Sequence, residues 1–281
     1  MLIESNSVYS HNSFFVENDI TSYYQDGSLW DRITGTNGYL PMEGIYPGCY
    51  FDISRNIVAP RIENYTTGIG SKRILVLGCN FKMRTGISSE ENYINYKHIV
   101  CCPYSAFGSS VMNKTDTSAG GYWNTFINQE VIGPVTSVGD IGGTINQQLY
   151  AEFGDHLKTI PEFVSTVINE NVFNYRSPAS NIGVSSGGAW KPVQACLMTE
   201  IEVLGSVVFG SSGYDIGNGN KQYPAFNLSG NIVNDNNNFW LRDVVSKERF
   251  AFLGMRSQSA AANAYANGQA RYFVRPKFVL G

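Results

Sequence analysis

The apolar runs in this chain are short. Ile74 to Leu77 is among the longest, and Gly, Pro, Asn and Ser interrupt the text throughout. Such runs fall far below the roughly 20 residues of a membrane-spanning helix, so no membrane partner is expected. They suit strands of a loop-rich protein. Arg73 to Leu77 reads as a buried strand, and His98 to Cys102 as another, ended by Pro103. Tyr39 to Asp52, broken by Pro41, Gly44, Pro47 and Gly48, reads as a hairpin. Phe107 to Tyr122, Asn174 to Gly188 and Ser211 to Asn220 read as loops, and Val207-Val208-Phe209 as a strand.

One segment has a helical period. Ile145, Leu149, Phe153 and Leu157 recur every four residues behind Thr144, a good N-cap. Pro161 at a first-turn position predicts a second helix through Phe163, Val164, Val167 and Ile168. Met198 to Leu204, with Glu200 and Glu202 alternating, predicts a strand, a short helix being the competing reading. Tyr272 to Leu280 reads as one closing strand. Residues 1–37 read as an N-terminal arm for oligomerisation or attachment, ahead of a domain spanning 38–281. Strands on both sides of two consecutive helices, with long loops, define an α+β fold of mixed and antiparallel strands.

Composition narrows the function classes. Charged residues make up 15 % of the chain, below the roughly 25 % of ordinary domains. With 29 Gly and 17 Tyr, this argues against a helical cytosolic enzyme and for a protein working outside the cell or in a particle. The net charge is -3 and no basic patch stands out, so no nucleic-acid partner is expected. Met1 to Ser5 lacks the basic and apolar parts of a secretory signal, so a displayed protein would have to leave the cell another way, release inside an assembled virus particle being one. The five Cys, odd in number and without C-x-x-C, read as buried free thiols rather than a disulfide or zinc framework.

Three segments in order along the chain carry a resemblance. They are Gly120-Gly121-Tyr122, then Thr144-Ile145-Asn146-Gln147-Gln148-Leu149-Tyr150-Ala151-Glu152-Phe153-Gly154, then Phe239-Trp240-Leu241-Arg242-Asp243-Val244 with the closing Val274-Arg275-Pro276-Lys277-Phe278-Val279-Leu280-Gly281. Over roughly residues 30 to 281 the chain resembles phage and prophage proteins with a C-type-lectin-like fold, related to formylglycine-generating enzyme. Many of these are variable proteins of diversity-generating retroelements, the major-tropism-determinant-like group among them. The resemblance implies a virion protein, at a tail or fibre tip, that binds a bacterial cell-surface protein or glycan and works as a homo-oligomer, a trimer among the options. It also implies contacts with other virion proteins.

In such proteins the solvent-facing residues between the Trp block and the last strand vary. The resemblance therefore places the ligand-binding region at about 239–273. Its candidate contacts are Phe252, Gly254, Arg256, Asn263, Tyr265, Asn267, Arg271 and Tyr272, on a scaffold of Trp240, Arg242, Phe250, Arg275 and Pro276. Met255, Gln258 and Gln269 do not arise from Asn codons by adenine changes, so they must be template-fixed or come from other codons. Tyr, Arg and Phe give rigid contact area, and Ser, Gly, Asn and Ala give adaptable hydrogen bonding, as in antibody loops.

Catalytic motifs are weak. Gly183-Val184-Ser185-Ser186-Gly187 matches G-x-S-x-G, but it reads as loop and no His follows it. His98 and His156 read as packed residues. Glu152, Asp155 and Glu162 form no evident acid–base pair. No enzyme activity and no cofactor are expected; Asn234 to Asn238 with its single Asp235 is a weak calcium alternative. The rival readings are a structural head fibre or decoration protein without a specific ligand, and a surface-polysaccharide depolymerase.

Overall fold

The computed structural model describes residues 18–35, 40–86, 93–175, 182–211, 213–215, 221–228, 238–254, 260–265 and 270–281. The elements begin with α1 (Thr21–Gln25), α2 (Ser28–Thr34), β1 (Tyr50–Ile57), β2 (Thr66–Thr67), β3 (Ser71–Cys79), β4 (Ile99–Pro103) and β5 (Ser109–Ser110). Then come α3 (Ile145–Phe153), β6 (Leu157–Lys158), β7 (Ile160–Phe173), β8 (Ile182–Val193), β9 (Ala195–Cys196), α4 (Glu200–Leu204) and α5 (Pro224–Leu228). The chain closes with β10 (Phe239–Ser246), β11 (Arg249–Leu253), β12 (Ala260–Tyr265), β13 (Tyr272–Phe273) and β14 (Lys277–Leu280).

These elements make an α+β protein of mostly antiparallel sheets with few, short helices. Strands buried along their whole length belong inside a sheet, and β4 is buried at all five positions. The first sheet runs β1-β3-β4-β14-β6, with β9 also on β14. The second runs β12-β11-β10-β13-β5-β2, in which only the β10–β13 pair is parallel. β7 and β8 form a separate two-stranded ribbon. Ile20, Leu29 and Ile33, from the segment read as an N-terminal arm, belong to the same core cluster as β3 and β4.

The α3 segment follows its sequence signals. Thr144 and Gln147 form a reciprocal capping box: Gln147 N–H donates to Thr144 Oγ1 at 3.4 Å and Thr144 N–H to Gln147 Oε1 at 2.9 Å. Ile145, Leu149 and Phe153 are buried, as the period requires. Leu157 lies past the helix end, in β6.

Several sequence expectations are corrected. The second helix at Pro161 is instead strand β7. Val164, Thr166, Val167, Ile168 and Val172 are β-branched and prefer the pleat, and Pro161 pairs opposite Pro192. Ile182 to Gly188, read as loop, is the matching half of β8. Met198 to Leu204 holds a helix rather than a strand, because Thr199 and Glu202 form a second capping box. Val207-Val208-Phe209 is not a strand: the N–H groups of Val208 and Phe209 donate to Glu200 Oε2 at 2.8 and 2.9 Å instead of to a ladder. Of the Tyr39 to Asp52 segment, the described residues from Leu40 on form no hairpin, since Gly44 and Gly48 turn the chain at positive φ and β1 pairs with β3. The closing strand is two strands, β13 in the second sheet and β14 in the first. Pro276, without an N–H, sits at the crossing between them.

Candidate ligand-binding face and its support

The second sheet gathers the C-terminal residues. Trp240 on β10 pairs directly opposite Phe252 on β11, so their side chains share one face. Trp240 is fully buried, and its Nε1–H donates to Ser110 O at 2.7 Å, which satisfies the one polar atom of the ring. Tyr272 on β13 stacks on Phe252 with centroids 4.2 Å apart and leans on Trp240 at 4.8 Å. Phe252 and Tyr272 are half-buried, Gly254 is half-buried, and Arg271 is exposed. The arrangement is a buried indole carrying an outer aromatic pair, with exposed Arg271 next to Tyr272 in the chain.

Asn263 and Tyr265 lie on β12, the edge strand next to β11, with Tyr265 opposite Arg249. Arg256 and Asn267 lie outside the described residues, as do Asn234 to Asn237 of the calcium alternative. Asn238 is described, and its carbonyl accepts from Phe273 N–H at 2.9 Å. Phe250, also on β11, is fully buried.

The face rests on two buried polar assemblies. Arg242 donates to Glu162 Oε2 at 2.9 Å. Lys82 Nζ lies 3.1 Å from Glu162 Oε1 and 2.8 Å from Glu202 Oε1. Lys277 Nζ lies 2.8 Å from Glu162 Oε1 and also contacts Glu202 Oε1. All five side chains are essentially out of water. Burial alone pushes both carboxyls up, but Lys277, Lys82 and Arg242 outweigh it and hold Glu162 and Glu202 below the usual carboxylate range. This cluster ties β7, α4, β10 and β14 to one point. Arg275 fixes the crossing between the sheets: it donates to Pro103 O at 3.1 Å and Tyr104 O at 2.9 Å and lies 5.4 Å from the Phe239 ring centroid. Pro276 beside it is buried.

The second assembly is acidic. Glu200, Asp215 and Asp243 are all buried. Glu200 Oε2 accepts from Val208, Phe209 and Gly210, and Asp243 Oδ2 accepts from Glu200 N–H at 2.8 Å. Burial, with the neighbouring charges of Glu200 and Asp215, pushes the Asp243 carboxyl well up, and burial carries Asp215 to about 6.

Ser185 is part of this assembly and not of a nucleophile elbow. It is buried in β8 and donates to Asp215 Oδ1 at 3.1 Å. A strand-to-helix turn is what a hydrolase serine needs, and Ser185 lies within strand β8 instead. His98 is buried: Nε2 accepts from Lys82 N–H at 3.0 Å and Nδ1 faces Tyr96 O at 2.9 Å, so the ring is held neutral with its proton on Nδ1. His156 stacks on Trp30 at 3.8 Å. Glu152 accepts from Tyr24 Oη and Ser54 N–H, and Asp155 from Tyr150 Oη. Of the five cysteines, four are buried, Cys79 is half-buried, and all are free thiols.

Comparison with known proteins returned no match: no protein-family model, no curated protein and no solved structure is similar to this chain.

Proposed function

We propose that this chain is a non-enzymatic receptor-binding or adhesion protein of a phage-type particle, with a C-type-lectin-like fold and a diversifiable C-terminal surface. The observation that carries the reading is the outer aromatic pair. Phe252 and Tyr272, half-open to solvent beside exposed Arg271, stand on a buried Trp240 and a fixed ionic support. Aromatic and Arg side chains on a rigid base are the usual anchors of binding faces. Exposed substitutions on such a base usually change stability by less than about 0.5 kcal/mol, so the surface is free to vary. The partner is a bacterial surface protein or glycan, met outside the cell from a tail or fibre tip. A homo-oligomer, a trimer for example, raises weak single-site affinity by avidity. No metal or other cofactor is needed.

The test is the DNA around the gene. A nearby near-copy of the segment encoding residues 240–278, differing only at template adenines and adjoining a reverse-transcriptase gene, is expected. Flanks without such a copy remove the diversification from the account.

A second reading, a structural head-fibre or decoration protein, is favoured by the β7–β8 ribbon. Val167, Phe173, Ile182 and Trp190 on it are exposed, as is Tyr175 just past the end of β7, by 90 %, which suits packing against other particle proteins.

A further inference from the structure

The loop that enters α3 carries apolar side chains in water. From Pro134 to Gly142 every residue is exposed except the half-buried Thr136. Val135, Val138 and Ile141 recur every third residue and are exposed by 41, 65 and 70 %.

That exposure is built in, because the loop is pinned along its length. Asn146 Nδ2 donates to Gly133 O at 2.7 Å and Pro134 O at 3.2 Å. Gln194 exchanges two hydrogen bonds with the backbone of Thr136, 2.9 and 2.7 Å. Asp140 N–H donates to Gln147 O at 3.2 Å. Gly139 packs so close to α3 that a side chain there would meet Ala151 Cα at 2.8 Å. The three aliphatic side chains are therefore held outwards. Apolar residues grouped on a surface in this way mark a contact with another molecule.

Beside the loop is a recess of about 250 Å³, whose walls include Trp123, Pro134, Val135 and Pro192. A projection and a recess thus share one surface. So do two opposite charges. Asp140 is exposed, and its Oδ1 accepts from Gly142 N–H at 2.9 Å. Lys191 Nζ lies 5.2 Å from the Trp123 ring centroid, at the recess. Neither is in an ion pair among the described residues.

From these features we infer that this loop face is a self-association surface, on which a second copy of the chain packs about a twofold axis. Val138 and Ile141 of each copy enter the recess of the other, and Asp140 faces Lys191 of the partner subunit. A twofold contact uses the same patch on both copies, so the patch must complement itself. A projection beside a recess, with one acid and one base, does so when the axis turns the patch end for end. A patch of one charge sign would repel its own copy. A ring of copies would instead need the projection and the recess on different sides of the molecule.

The contact is small beside the roughly 20–30 residues a side of a standard interface, so the pairing is weak. It gives the homo-oligomer of the proposed function a contact, and it shares no residue with the C-terminal face. Sedimentation reads it without any host cell, so its failure and the failure of receptor binding are told apart.

Sedimentation velocity of the full chain, from about 5 to about 300 μM, tests the pairing. The natural chain is expected to pass from monomer towards dimer across that range. The double variant Val138→Asp, Ile141→Asp changes exposed positions, keeps its melting temperature nearly unchanged, and is expected to stay monomeric. Asp140→Lys and Lys191→Asp are each expected to weaken pairing about fivefold or more. Combined, they are expected to restore it to within about threefold, which local damage at either residue would not give. A natural chain that stays monomeric, or forms trimers without dimers, overturns the inference. So does pairing that survives Val138→Asp, Ile141→Asp, or a combined charge swap that pairs no better than either single variant.

Discussion

Replacing Glu162 with alanine is expected to cost about 3–5 kcal/mol of folding stability. The side chain is completely buried and meets Lys82, Lys277 and Arg242. Removing it leaves three cations around the single carboxylate of Glu202, out of reach of water. A loss of that size is a large share of the roughly 5–15 kcal/mol that a domain has in total. The charge count also sets an order among variants. Among the described residues the cluster has three cations and two carboxylates, one positive charge in excess. Lys82→Met therefore leaves a balanced cluster and costs less than Glu162→Ala. The exposed pair Arg73–Asp52, 2.8 Å apart with both side chains about two-fifths exposed, is the contrast: Asp52→Ala should cost under about 1 kcal/mol. Urea titration of the three variants reads all of this. Equal losses for Glu162→Ala and Asp52→Ala would show that the cluster does not hold the sheets together.

The acidic assembly gives the second large effect, an unusual pH dependence. Asp215, at about 6 in the fold against an ordinary value of 3.8, is deprotonated at neutral pH at a cost to the folded state. A carboxyl raised on folding binds its proton more tightly in the native state, so stability rises as pH falls through the folded value. From about pH 7.5 to about pH 5 this one group contributes roughly 1–1.5 kcal/mol of added stability, and Asp243 acts in the same direction. The trend reverses in stronger acid. Glu162 and Glu202 are held below their ordinary values, so the stability they contribute is lost as pH falls below the usual carboxylate range. Melting temperature should therefore peak near pH 5 rather than near 7. Asp243→Asn removes one of the crowded charges, keeps an oxygen for Glu200 N–H, and is expected to flatten the rise. A melting temperature that falls steadily from pH 7.5 downwards contradicts this.

Local signals were readable where one residue type settles the backbone. Thr144 with Gln147 marks the start of α3, and the strands β3 and β4 stand out as unbroken apolar runs. At two places the sequence carries competing signals and the weaker one is the more visible. Pro161 fits a helix start, but the β-branched residues after it outweigh that. Thr199-x-x-Glu202 is a capping box that the alternation of glutamates disguised. The supporting clusters were beyond any local reading. Lys82, Glu162, Glu202, Arg242 and Lys277 are scattered from β3's far side to the last strand, and only the packing of four elements brings them together. Arg242 stands out in the Trp block, yet nothing near it in the sequence names Glu162 as its partner. The outer aromatic pair is half legible: Phe252 and Tyr272 both fall among the candidate contacts, but their stacking depends on β13 crossing to lie beside β10.

The central claim is that the face around Phe252, Tyr265, Arg271 and Tyr272 recognises a bacterial surface. Adsorption of the purified protein to host cells tests it directly, comparing the natural chain with the triple variant Tyr265→Ala, Arg271→Ala, Tyr272→Ala. Loss of the Tyr272 stack costs about 0.5–1.5 kcal/mol besides the area the half-buried ring covers, less than the roughly 5–15 kcal/mol of a whole domain, and the melting temperature of the variant is recorded beside its adsorption. The expected result is adsorption by the natural chain and none by the folded variant; undiminished adsorption by the variant would contradict the claim.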